Sequence, residues 1–472
     1  MVKHQQSDTA RIHRIFEAQQ QHYLTVGNSS VAERKRKLKK LLKTVMNYRS
    51  RLQEALYKDF HKPAFEVDAV EILPTVGAIK HAIKHLGRWV APHRAPTPLM
   101  FAGSTSWVRY ESKGVCLIIS PWNFPFNITL IPLVSAIAAG NTAIIKPSEF
   151  TPHTAALMEE MLAEVFDEKE VAVVQGEVDT AQELLSLPFN HIFFTGSPAV
   201  GKIVMEAAAK NLASVTLELG GKSPTVIDET ADLKKAVRRI ALAKWANSGQ
   251  ICTTCDYLLV HESREQELLD LLKATFEEFA GGDAATSGSY THVVNEKHFH
   301  RVCQLLDDAK AKGAKVVAGG ETDEKENFIA PTVLTNVDPK SRVMQEEIFG
   351  PLLPVLTFKT LQEAVDIINA GERPLTMNIF SKRRKNIDFV LAHTRAGGTT
   401  INNATMHFYN HDLPFGGVNN SGIGKAHGWY GFVEFSNARA IYRQDLPSVL
   451  DLMTPPYTRW KERIIELAIK YL

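Results

Sequence analysis

At 472 residues, with 44% apolar and 22% charged residues and a formal charge of +2, the chain has the balance of a soluble globular protein and the length of about three domains. The near-neutral charge gives no reason to expect nucleic acid as a partner. Four cysteines, Cys116, Cys252, Cys255 and Cys303, are too few for a disulfide scaffold and fit a reducing compartment.

The N-terminal stretch MVKHQQSDTARIHRIF has no apolar signal core. The longest apolar run, Ile128 to Ala139, contains Pro132 and is too short for a membrane span, so the expected place is the cytoplasm. Ser30-Val-Ala-Glu33 has the form of a capping box. After it Leu38, Leu41, Leu42, Val45, Leu52 and Leu56 recur at helical spacing and predict one long amphipathic helix. The basic run Arg34 to Lys37, with Lys39 and Lys40, reads as the solvated face of that helix rather than a nucleic-acid patch. A second helical pattern covers Val67 to Val90 and ends at a proline-rich connector, Pro92 to Pro98.

Ser104 to Tyr110 is strand-like, and Lys113-Gly114 marks a tight turn. Gly114 to Ser120 is then a continuous apolar, β-branched run of the kind buried on both faces of a parallel sheet. Pro121-Trp-Asn-Phe-Pro125 makes a stiff loop at its end, the usual place for ligands in an open α/β sheet. Strands at Thr142 to Lys146, Val171 to Val174 and His191 to Thr195 alternate with helices at Pro132 to Ala139, Thr151 to Val165 and Ala181 to Leu187, and after Gly196 to Asn211. That alternation means a doubly wound parallel sheet.

From Gly220 to about Thr400 the pattern repeats. Helices are expected at Leu233 to Ala246, Glu265 to Phe279 and Glu296 to Lys312, and strands at Tyr257 to Val260, Lys315 to Val317 and Leu353 to Phe358. Leu413 to Ser421 reads as loop and Ser436 to Arg443 as an isolated strand. Pro455 to Leu472 reads as an amphipathic helix with Trp460, Ile464, Leu467 and Tyr471 on one face. It is too polar to span a membrane, and docking on the protein's own surface or on a partner subunit is favoured over lipid.

Within the second section, Asn247 to Tyr257 places Cys252 just after a Gly-Gln bend, where a loop can present a thiol to a pocket. A lone cysteine is usually a small buried hydrophobe. Asn123 could be a turn residue satisfying its own backbone, and Glu218 an ordinary carboxylate on a strand. Gly196 to Gly201 lacks the spacing of the usual dinucleotide fingerprint. Each signal alone is weak; their order along the chain is far more specific.

PWNFP (121–125), KPSE (146–149), FTGS with Gly201, LELGG (217–221), GQIC (249–252), EEIFGP (346–351) and PFGG (414–417) together resemble the aldehyde dehydrogenase superfamily. The resemblance runs from about Arg34 to Tyr442 and is closest to the class 3 branch, the fatty, aromatic and coniferyl-type aldehyde dehydrogenases. The Asp256-Tyr257 pair and the Met406 to Phe408 stretch carry that finer likeness.

The resemblance implies an α/β fold with two doubly wound domains and a small β oligomerisation arm. The Rossmann-type NAD(P)-binding domain would comprise residues 1–103 and 115–218, and the catalytic domain 219–400. Residues 104–114 and 434–446 would form the arm, which implies a homodimer. Residues 401–433 would return beside the active site, and 447–472 would form the C-terminal helix.

The same resemblance implies that Cys252 attacks an aldehyde to give a thiohemiacetal and then a thioester. Asn123 and the Cys252 N–H would hold the oxyanion, and Glu218 would activate the hydrolytic water. Trp122, Lys146, Glu149, Gly196, Ser197, Gly201, Leu219, Glu347 and Phe349 would bind the cofactor. Lys146 and Glu149 would meet the adenosine ribose, Ser197 and Gly196 the pyrophosphate, and Glu347 and Phe349 the nicotinamide riboside. The carboxylate of Glu149 should repel the extra phosphate of NADP, so NAD is expected to be preferred, with NADP also accepted; no metal is implied. A cofactor-independent thiol esterase and a non-catalytic structural protein on the same fold are the competing readings.

Two positions depart from the family pattern: Cys255 stands where class 3 relatives commonly have proline, and Asn419 where glycine is usual. Cys252-x-x-Cys255 has the form of a redox pair or half a zinc site, but no further ligands follow at suitable spacing.

Overall fold

The computed structural model describes residues 2–98, 101–448, 451 and 453–471. The β-branched run at Val115–Ile119 is buried along its whole length. Its side chains alternate between two cores: Val115, Leu117 and Ile119 face one, Cys116 and Ile118 the other. This strand is the third of five parallel strands, in the order Ser214–Leu219, His191–Gly196, Val115–Ile119, Thr142–Lys146, Val171–Val173; Gly422–Ile423 adds an antiparallel edge. The chain steps outward from Val115–Ile119 in one direction, then returns to its other side with His191–Gly196. The strand order therefore reverses between these two neighbours, and a crevice opens beyond their carboxyl ends.

Five residues past Leu219 the chain enters a second sheet. Its order is Lys315–Ala318, Thr332–Thr335, Leu352–Phe358, Tyr257–His261, Pro224–Ile227, Thr376–Phe380, Gly398–Ile401, parallel except for the first strand. Pro224–Ile227 and Thr376–Phe380 had no counterpart among the expected strands, although each is paired on both sides in this sheet.

A third sheet joins distant segments. Ser436–Gln444 is not isolated but pairs antiparallel with Ser104–Ser112 from Ser436↔Ser112 to Gln444↔Ser104. His93–Ala95, inside the proline-rich connector, pairs with the other edge of Ser104–Ser112.

Ser30 and Glu33 form the expected capping box. The helix it starts, Val31–Asn47, ends at Tyr48 and a separate helix covers Arg49–Phe60. The predicted long helix is thus two. Arg34 is not on the solvated face: it is buried and donates to the carbonyls of Gly27 at 2.7 Å and Ala138 at 3.0 Å. Val2–Gly27 is also helical, an element the sequence reading did not assign. A π-helical stretch, Val67–Ile72, leads into the helix Leu73–Val90.

The C-terminal helix spans Arg459–Tyr471 and buries none of its residues. Leu467 is more than half exposed and Trp460 half exposed, so the chain itself does not cover this face. No helix among the described residues is long and apolar enough to cross a membrane.

Candidate active site

The loop Pro121–Pro125 leaves the strand Val115–Ile119 at the crevice and carries Asn123, which is 2% exposed. Its side-chain amide donates to the Gln250 carbonyl at 3.0 Å. Its own carbonyl accepts from Asn247 Nδ2 at 3.0 Å and Lys62 Nζ at 3.1 Å. These bonds tie the loop to the turn that presents Cys252.

That turn is strained. Asn247, Ser248 and Gly249 hold φ of 52°, 53° and 67°, a left-handed region that costs a non-glycine residue roughly 1–3 kcal/mol. Gly249 has no room for a side chain, because a Cβ would lie 2.4 Å from the Gly350 carbonyl oxygen. Ser248 Oγ meets Tyr290 OH at 3.0 Å. Gln250 donates to the carbonyls of Asn247 (2.9 Å) and His292 (3.0 Å) and accepts from Val294 N–H at 3.1 Å. With its neighbours pinned in this way, Cys252 opens into a cavity of about 530 Å³.

Burial pushes the Cys252 thiol well above its ordinary pKa, and the nearby Glu347 and Glu218 carboxylates add to the effect. Glu218 reaches the same cavity from the carboxyl end of Ser214–Leu219. Both of its oxygens are buried without a hydrogen-bond partner. Burial holds its pKa far above the usual carboxylate range; Lys425 opposes that shift and Glu434 adds to it. A carboxylate so placed has unfilled lone pairs for water or substrate.

Glu347 folds against Gly220, where a Cβ would come within 1.9 Å of its carboxylate. Burial and Asp256 raise its pKa to about 8, opposed by the Gly221 N–H and Arg301. Arg301 donates to the carbonyls of Glu347 at 3.2 Å and Phe349 at 3.4 Å, and Asp256 accepts from Ile348 N–H at 3.0 Å. Phe349, at φ 46°, sets its ring edge-on to Trp122 at 5.2 Å.

Across the cavity, the helix Pro198–Ala209 begins with Ser197 as its N-cap, accepting from Val200 N–H at 3.4 Å. Gly196, Ser197 and Pro198 line the cavity, so the positive end of the helix dipole and its free N–H groups face the space, a fit for a pyrophosphate.

Asn123, Glu218, Cys252, Trp122, Gly196, Ser197, Leu219, Glu347 and Phe349 therefore meet around one cavity. Lys146, Glu149 and Gly201 lie outside its lining. Lys146 and Glu149 pair with each other at 2.7 Å, and the Lys146 carbonyl accepts from Ser120 N–H at 3.0 Å, just before the Pro121 loop. Gly201 faces Leu219, whose side chain would lie 2.7 Å from an added Cβ. Its missing side chain lets the helix pack closely on the strand. Cys255 turns away from Cys252 into the second sheet's core and is fully buried. That placement does not suit a redox pair, and no cysteine joins the metal-competent clusters among the described residues. Asn419 adopts φ 56° and accepts from Arg373, which suits asparagine at a left-handed position.

The sequence reading missed the groups beneath the site. Lys62 and Glu71 pair at 2.9 Å with both side chains 0% exposed. Glu71 also accepts from Asn127 N–H at 2.8 Å, and Glu66 from Asn247 N–H at 2.7 Å. The signal was present: Glu71 lies on the apolar stripe of Val67, Ala78 and Ala82, where a carboxylate needs a buried partner. Arg301 and His427, both lining the cavity, carried no such signal.

With this geometry in hand, the comparisons are direct. The family model described as Aldehyde dehydrogenase family matches residues 1–441. The 4,4'-diaponeurosporen-aldehyde dehydrogenase of Staphylococcus aureus is 43% identical over 92% of this chain and 94% of its own length. Aldehyde dehydrogenase family 3 member A2 of Rattus norvegicus is 43% identical over 91% of this chain and 88% of its own. A substrate-bound structure of Staphylococcus aureus AldH superposes with a TM-score of 0.93 at 41% identity, covering 97% of this chain and 99% of that one.

Proposed function

The chain belongs to the aldehyde dehydrogenase family, and from that premise we propose that it oxidises medium- or long-chain aliphatic or aromatic aldehydes to carboxylic acids, with NAD preferred over NADP. The observation that carries this reading is the convergence of Cys252, Asn123 and Glu218 on one cavity bordered by a helix N-terminus.

Cys252 attacks the aldehyde carbon, and the resulting oxyanion is held by Asn123 Nδ2 and the Cys252 N–H. The Gln250 carbonyl accepts a hydrogen bond from one N–H of the Asn123 amide and fixes its orientation, leaving the second N–H for the oxyanion. The thiol is protonated at rest and gives up its proton to solvent as it attacks, which leaves Glu218, with its free oxygens, for the later step. When bound, the nicotinamide cofactor supplies the hydride acceptor. Glu218 then takes a proton from the water that hydrolyses the thioester on Cys252, releasing the acid.

For the cofactor, Gly196 and Ser197 would hold the pyrophosphate, Lys146 and Glu149 the adenosine ribose, and Glu347 and Phe349, with Trp122 and Leu219, the nicotinamide end. Gly201 acts by letting Leu219 and the helix approach. The negative charge of Glu149 supports NAD over NADP. One part of the cavity wall is apolar, with Ile128, Ile131, Pro132, Phe408, Phe415 and Ala426, which suits a long or aromatic tail; the Staphylococcus aureus relative is named for 4,4'-diaponeurosporen-aldehyde. The outer edge of Ser436–Gln444 supports a homodimer joined through the arm.

NADH absorbance over a graded series of aliphatic and aromatic aldehydes tests the reading, with kcat/KM expected to rise with apolar bulk. No reduction of NAD or NADP with any aldehyde, alongside turnover of an activated ester, would favour a thiol esterase instead.

A further inference from the structure

Among the described residues, four groups that border the cavity carry buried polar atoms without partners: Glu218, Thr195, His298 and His427. Thr195 adjoins the Gly196-Ser197 turn, and His298 packs on Trp122 at 4.8 Å, so both belong to the cofactor side. His427 belongs to neither the cofactor side nor the thiol. It stands in the apolar wall, stacked on Phe415 at 5.0 Å and 15° and edge-on to Phe408 at 4.7 Å.

For packing alone, that place would take phenylalanine. His427 is 2% exposed and holds φ 75°, so both its ring and its backbone are in unfavourable settings. Among the described residues its Nδ1 is buried with no hydrogen-bond partner. Burial, with His411 and His407 adding to it, brings its pKa down to about 3, so the ring is neutral near pH 7. A neutral imidazole has one donor and one acceptor nitrogen, and leaving such groups unpaired is costly.

We propose that His427 is a polar subsite for the substrate's tail, selecting aldehydes whose apolar body carries a hydroxyl group that hydrogen-bonds the imidazole. A hydroxyl both donates and accepts, so it satisfies either tautomer. This rests on the proposed aldehyde oxidation and adds a preference among its substrates.

The test compares aldehydes matched in size: 3- and 4-(hydroxymethyl)benzaldehyde against 3- and 4-ethylbenzaldehyde. Without a partner the hydroxyl would be stripped of water at a loss, and the ethyl compound would win. In the wild-type enzyme at least one hydroxymethyl isomer should match or exceed its ethyl counterpart in kcat/KM. His427→Phe should move that ratio roughly tenfold toward the ethyl compound, the scale of one buried hydrogen bond. His427→Gln, which keeps a donor and an acceptor, should recover much of the ratio. An unchanged ratio in His427→Phe would overturn the subsite. So would a wild-type preference of tenfold or more for ethyl at both ring positions, a result that needs no variant to fold. Failure of the wild-type enzyme on all four aldehydes would overturn the subsite and, separately, count against the proposed oxidation of aromatic aldehydes.

Discussion

Lys62 and Glu71 pair across 2.9 Å with both side chains wholly buried, and the same ammonium group donates to the carbonyl of Asn123. Glu66 lies in the same interior and holds the N–H of Asn247. One buried cation thus balances two carboxylates that fix the oxyanion loop and the cysteine turn. Removing a single partner from such a group leaves uncompensated buried charge, at about 3–5 kcal/mol. Lys62→Met should therefore lower the unfolding free energy by about that amount in urea, and Lys62→Met combined with Glu71→Gln should recover part of it. A loss below about 1 kcal/mol would mean the pair is not buried as described.

Asn123→Ala removes a side-chain donor to the oxyanion while keeping the main-chain carbonyl that Lys62 and Asn247 bind. The expected loss is about 10²–10³-fold in kcat with little change in KM for the aldehyde. Steady-state kinetics with thermal melting as a control would check it; a change confined to KM would assign Asn123 to substrate binding alone.

Glu347 makes a pH statement about stability. Its carboxyl titrates near 8 in the fold against 4.5 ordinarily, chiefly from burial. The folded state therefore holds this proton more tightly than the unfolded chain. The stability it contributes is fully present below about pH 4.5 and is lost as pH rises through about 8. Glu347→Gln should leave the melting temperature nearly unchanged at pH 5 and raise it relative to wild type at pH 8.5. Identical pH profiles for the two proteins would contradict the assigned shift.

Glu218 makes the corresponding statement about rate. Only its ionised form can accept a proton, and burial raises its pKa well above the carboxylate range. The rate of thioester hydrolysis should therefore go on climbing with pH beyond the ordinary carboxylate range. Glu218→Gln should flatten that limb in single-turnover measurements; an unchanged limb would place the base elsewhere.

Much of this molecule can be read from its sequence because local physics decides it. The strands Val115–Ile119 and Thr142–Lys146 are β-branched runs buried on both faces, and Ser30 with Glu33 is a self-contained cap. Thr376–Phe380 escaped because a five-residue strand containing Asn378 has neither an apolar run nor clean alternation, and only its two neighbours in the sheet make it a strand. Tyr48 breaks a helix whose apolar spacing continues past it.

The site divides the same way. Cys252 and Asn123 sit in loops with their own signature, while Lys62, Arg301 and His427 act through partners 61, 46–48 and 12 or more residues away. Arg34 and Arg301 resemble surface cations on amphipathic helices. Only the carbonyls they meet in three dimensions show that Arg34 is buried and Arg301 half-buried.

The central claim is a covalent intermediate on Cys252 whose hydrolysis depends on Glu218. Intact-protein mass spectrometry of Glu218→Gln, quenched after mixing with NAD and nonanal, measures it most directly. An adduct with the mass of the acyl group should accumulate on the peptide containing Cys252, together with about one equivalent of NADH and little further turnover. Unmodified Cys252 after that burst, or wild-type turnover in Glu218→Gln, would contradict it.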